Sequence, residues 1–195
     1  MEWVCRTGNY RDIWKIVTVN KNEMSLKNMK KQIRRETFET NSSSTHAICI
    51  TKSNVDMENL PNHVTFSHGE FGWENAEYDD LWHKASYLYQ AICSCYDGDK
   101  RKEVIDNLTE MLGNHNICCD FEPGDNVGYI DHGDDTFDFV KSVLIDSDRL
   151  LRYLFCNSFV VTGNDNSDGY YSTMYTDYDE LKPEFNNYEV YEKGN

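Results

Sequence analysis

Residues 79–96 read DDLWHKASYLYQAICSCY, and this stretch decides the fold class. Leu81, Ala85, Leu88, Ile92 and Cys95 recur at steps of three and four, which lines one side of an α-helix. Asp79 and Asp80 stand at its start, where the positive end of the helix dipole favours carboxylates. Such a stripe needs something to cover, and strand-like runs lie on both sides of it. Upstream, residues 32–38 and 47–51 read as two strands joined by a polar Ser/Thr loop over 40–45. Pro61 precedes a short strand at 64–66, and a Gly-rich turn follows at 69–72. Downstream, a second helix is expected over 101–112, with Val104, Ile105, Leu108, Met111 and Leu112 on one side and Gly113 as its stop. Strands at 117–121 and 127–131 come next. Helices at 136–145 and 149–155 follow, the latter capped by Ser147 or Asp148. A strand at 159–162 and an edge strand at 188–191 close the chain. Helices and strands mix without regular alternation, which predicts a single α+β domain with a mixed sheet covered by several helices. The 81–92 helix is expected to lie on a sheet containing the Gln32, Ala47 and Val127 strands.

Charge divides the chain unevenly. Residues 1–35 carry nine Lys or Arg against three Asp or Glu, and the other 160 residues carry ten against thirty-one, so a basic leader precedes a strongly acidic body. Residues 1–28 read as an N-terminal extension, and 29–195 as an acidic α+β domain with a Tyr-rich C-terminal tail. A polyanion of this kind repels phosphates and membrane surfaces and is steered toward cationic grooves. Between Asp120 and Asp138 there are seven Asp or Glu and no Lys or Arg. Asp120, Glu122, Asp125, Asp134, Asp135 and Asp138 are therefore the first candidates for contact with a basic partner, the alternative being a solvated face that serves solubility. Seven cysteines, an odd number, in a chain with no secretory signal or run of about 18 apolar residues predict reduced thiols in a cytoplasmic protein.

No P-loop, dinucleotide fingerprint or metalloprotease helix motif is present. Four polar spots lie at expected strand ends or turns, where a scaffold can bring side chains together: His46, Glu70 with Glu74, Asp131 with His132, and Asn164-Asp165-Asn166. Imidazole, carboxylate and thiolate are ligands that zinc accepts, so His46, Glu70, Cys119 and His132 form a candidate zinc set. The competing reading is histidines that anchor loops by hydrogen bonds, and cysteines that serve as small buried hydrophobes. Glu70, Asp131, His132 and Asp165 could alternatively work as a metal-dependent enzyme on nucleic acid or nucleotides, although an acidic body lacks the basic face that holds a polyphosphate. Binding rather than turnover is the expectation.

From Met29 the chain reads MKKQIRRETFETNSSSTHAICI, and GEFGWE (69–74), KASYLY (84–89), GYIDH (128–132) and TGNDN (162–166) follow. These motifs resemble a family of small proteins from phages and other mobile elements of low-GC Gram-positive bacteria, whose members include inhibitors of type II-A CRISPR effectors. The resemblance implies an anti-CRISPR protein that binds the host Cas9 protein, or its guide-bound complex, and obstructs guide or target DNA loading, without touching nucleic acid itself. Gly133-Asp134 follows GYIDH here where relatives often carry a Gln-Ser pair, so the resemblance carries no catalytic role over to that loop.

Overall fold

The computed structural model describes residues 44–124, 128–164, 173–176 and 180–193. The chain divides into two units, Met1–Phe38 and Glu39–Asn195, and all described residues belong to the second. The expected strand over 32–38 and the expected boundary at residue 28 lie outside the described residues.

The fold is α+β. Its centre is β1, Ser44–Thr51, whose eight residues are all buried. Alternate side chains of β1 enter two different apolar clusters. Ile48 and Ile50 join the helix-side core with Val160, while Ala47 and Cys49 meet Phe159, Val161, Met174 and Phe185 on the opposite face. A strand covered on both faces reads as a continuous apolar run, which is why 47–50 is strand-like without polar alternation. Beside β1 lie β7, Phe159–Asn164, and β10, Tyr188–Lys193, both antiparallel to it. β4, Ala76–Tyr78, adds antiparallel to β7, giving the order β10-β1-β7-β4. The expected edge strand near the C-terminus is thus found at an edge.

The helical layer is built around α1, Leu81–Cys95. Asp80 caps it, its Oδ1 accepting from His83 N at 3.0 Å. The expected stripe understates its burial, because every residue from Lys84 to Ile92 is buried. α1 is a central helix, with α2 (Gly98–Gly113), α3 (Phe137–Leu144) and α4 (Ser147–Phe155) all packed on it. Tyr87, Leu88, Ile92, Leu108, Phe139 and Tyr153 are among the largest fully buried side chains of this core. α4 is capped by Asp146, one residue earlier than expected, whose Oδ1 accepts from Arg149 N at 3.2 Å. Arg149 and Arg152 also tie α4 to the edge strand through Glu189, at 2.9 and 3.3 Å.

Beyond the main sheet, β8, Tyr175–Thr176, pairs antiparallel with β9, Glu180–Leu181, and two parallel pairs stand elsewhere. β2, His63–Phe66, pairs with β5, Cys118–Phe121, and β3, Glu70–Phe71, pairs with β6, Tyr129–Ile130. The strand that follows Val127 therefore belongs with β3 and not beside Ala47, contrary to expectation, and Val127 itself lies outside the described residues. Gly128 makes the β3–β6 approach feasible: its φ is +77°, and a Cβ there would stand 2.4 Å from the Gly69 carbonyl oxygen. No helix among the described residues is long and apolar enough to cross a membrane.

Candidate functional site

One described member of each polar spot, His46, Glu74, Asp131 and Asn164, comes through side-chain or backbone atoms to one end of the sheet, where β1 begins and β7 ends. Ser44 lies opposite Asn164 in the β1–β7 register. Ser44 N donates to Asp131 Oδ2 and Ser44 Oγ to Asp131 O, each at 3.2 Å, while Asp131 N donates to Phe71 O at 3.1 Å. Ser44 and Thr45, expected in a loop, are buried strand residues. Their Ser/Thr composition suggests a turn only when the Asp131 acceptor is not in view.

His46 is fully buried. Its Nε2 lies 2.8 Å from Gly72 O and its Nδ1 2.9 Å from Tyr87 Oη. A carbonyl can only accept, so Nε2 carries the proton and Nδ1 accepts from the Tyr87 hydroxyl. Burial raises the Tyr87 phenol far above its ordinary value, so it remains a donor. The next two carbonyls are held likewise: Asn164 Nδ2 donates to Trp73 O at 3.2 Å, and Thr162 Oγ1 to Glu74 O at 2.7 Å. Three consecutive carbonyls of GEFGWE thus accept from three side chains of β1 and β7. The motif residues are joined through backbone atoms, which composition alone does not reveal.

The candidate zinc ligands are not gathered. His46 spends both ring nitrogens on Gly72 and Tyr87. Glu70 is exposed on β3, opposite Tyr129. Cys119 lies on β5 beside Val64, its thiol pushed up to about 11 by burial and then by Cys118 and Asp120. His132 adopts the left-handed conformation, φ 52°, with its side chain 57% exposed and its nearest carboxylate contact at 3.9 Å to Asp131. Among the described residues no group of three or more His, Cys, Asp and Glu side chains is placed to hold a metal ion. Of the alternative enzyme set, Asp131 is engaged by Ser44, and Asp165 lies outside the described residues.

The candidate partner-binding carboxylates Asp120, Glu122, Asp134, Asp135 and Asp138 are all exposed. They occupy two places rather than one run. Asp120 accepts from His63 at 2.8 Å and Glu122 from His68 N at 3.0 Å, at the end of β5. Asp134 and Asp135 lie on a 3-10 turn, Gly133–Thr136, and Asp138 on the first turn of α3. Asp125 is outside the described residues.

Sequence reasoning missed Lys84. Absent from the expected apolar stripe, it is 2% exposed and donates to Cys156 O at 2.8 Å, at the C-terminal end of α4. Only its place in the KASYLY motif marked it. No family model, curated protein or solved structure matches the chain.

Proposed function

We propose that this protein acts by binding a basic partner, and that the partner is a type II-A Cas9 effector whose guide or target loading it obstructs. The observation that carries this reading is the exposure of every described candidate carboxylate in the acidic run, on a body with a net excess of twenty-one negative charges after residue 35. Cas9 holds its heteroduplex in a positively charged channel, which an anionic surface can occupy or flank. The motif residues support the same direction, since His46, Thr162 and Asn164 bond internal carbonyls and Asp131 receives Ser44. These groups brace the fold and leave the surface to do the binding.

The test is DNA cleavage by guide-loaded Cas9 at increasing ratios of this protein. Inhibition complete near one equivalent, with a complex detected by size-exclusion chromatography, is the expected result. Absence of any complex at low and moderate salt overturns the proposal. Divalent-metal-dependent turnover of generic DNA, RNA or nucleotides, lost in Glu70→Ala or His132→Ala, would replace it with the enzyme reading.

A further inference from the structure

Residues 53–83 contain seven Asp or Glu and no Lys or Arg, and Lys84, the next cation along, is turned into the core. Within this stretch the surface carries an ordered aromatic array. The Tyr78 ring stacks on His83 with centroids 4.9 Å apart and planes 29° from parallel, and Trp82 stands nearly perpendicular to His83 at 4.6 Å. Phe71 supports Tyr78 from beneath, edge-on at 5.4 Å. Trp82 is 52% exposed, so its indole face is open to a partner. Carboxylates flank the array. Asp80 is bonded to His83 Nδ1 at 2.5 Å, and Glu74 accepts from the Tyr78 hydroxyl at 3.3 Å. Glu74, exposed, makes no ion pair among the described residues.

We infer that the surface formed by Tyr78, Trp82 and His83 with Glu74 and Asp80 is a docking site for an arginine-bearing segment of a partner protein. A guanidinium is planar, weakly hydrated and always charged, so it can stack on an exposed indole or phenol face while its N–H groups reach carboxylates at the rim. An ammonium matches this arrangement less well, because it holds its water and has no plane to stack. Neither feature alone selects the ligand: carboxylates attract any cation, and an exposed indole any apolar surface. Together they select a cation with a flat face. The array is rigid before binding, since the rings are packed on one another and Asp80 also caps α1, so little ordering cost remains. The site is distinct from the carboxylates of 120–138, and it rests on the reading that the partner is basic.

The test has two arms, both on the full chain. In the first, an octa-arginine peptide and an octa-lysine peptide are titrated while the indole N–H resonance of Trp82, assigned by its loss in Trp82→Phe, is followed by NMR. A saturable shift at least fivefold tighter for the arginine peptide is expected, and Glu74→Lys should weaken it about tenfold at unchanged melting temperature. Equal response to both peptides, or arginine-peptide affinity unchanged in Trp82→Ala by fluorescence polarisation, overturns the inference. In the second arm, Trp82→Ala and Glu74→Lys are compared with the unaltered protein for Cas9 binding. Loss of binding in both variants supports the site. Full binding in both overturns it while leaving the Cas9 proposal intact. If the unaltered protein fails to bind Cas9, the Cas9 proposal falls, and the peptide arm alone decides the surface.

Discussion

The Lys84 ammonium donates to the Cys156 carbonyl at 2.8 Å, at the point where α4 ends, while Tyr153 of the same helix returns a hydrogen bond to the Lys84 carbonyl at 2.9 Å. The two bonds lock the crossing of α1 and α4, and the cation sits where the negative end of the α4 dipole favours it. Burial nevertheless lowers the Lys84 pKa from 10.5 to about 8, against the pull of Cys156, Asp79 and Asp80. From about pH 8 to 10.5 the unfolded chain keeps this proton and the folded chain has released it, so the group's contribution to stability rises with pH across that window, by about 1 to 3 kcal/mol. Below the folded pKa the full penalty for the buried charge applies. Lys84→Met removes this titrating group. The unfolding free energy of the unaltered protein minus that of Lys84→Met, from urea titrations at several pH values in this window, should climb with pH. A flat or falling difference would show that the lysine is charged throughout. Taking the difference matters because the buried Cys49 thiol, also raised by burial, gives both proteins a slope of the opposite sign at high pH.

Leu88 is fully buried at the centre of α1, whereas Leu81 at its start is only partly buried. Leu88→Ala should cost about 2 to 5 kcal/mol and Leu81→Ala clearly less. Equal losses in a denaturant titration would mean that α1 lies at the rim of the core and not at its centre.

Removing the His46 ring leaves the Gly72 carbonyl and the Tyr87 hydroxyl buried without their partner, at about 1 to 3 kcal/mol for each orphaned group. Tyr87→Phe removes the same bond from its other end. Because each change destroys the same bond, the double variant His46→Leu/Tyr87→Phe should be less destabilised than the sum of the single ones, by about 0.5 to 3 kcal/mol. Strict additivity would break the hydrogen-bonded link between β1 and α1.

Reversal of Asp134, Asp135 and Asp138 to lysine changes three exposed side chains and no buried one. If these carboxylates steer the protein to Cas9, association should slow and its dependence on salt should weaken, with the melting temperature unchanged. An unchanged association rate would remove this turn from the docking surface. The unaltered rate should itself fall as salt rises.

Much of the architecture was legible because it is periodic or apolar. The residue 81–95 helix announced itself through its leucine and isoleucine spacing, and the Ala47 strand through its unbroken apolar run. What stayed hidden depends on partners distant in sequence. Ser44 becomes a strand residue because Asp131, eighty-seven positions later, receives its N–H. The strand after Val127 pairs with Glu70–Phe71 because two glycines allow the backbones to close. At the candidate site, the sequence marked the segments that meet but assigned the wrong atoms. His46, Thr162 and Asn164 were visible as polar groups able to do chemistry, whereas their acceptors are carbonyls, which every residue type carries alike.

The three carbonyls at Gly72, Trp73 and Glu74 have a consequence for how this surface can change over generations. Shape there is written in main-chain atoms and read by residues on other strands, while the side chains of Trp73 and Glu74 point their exposure at solvent. Substitution at those two positions leaves the scaffold untouched. A lineage pressed to follow a drifting target could therefore rewrite the outer face of this turn one residue at a time and keep the same fold beneath it.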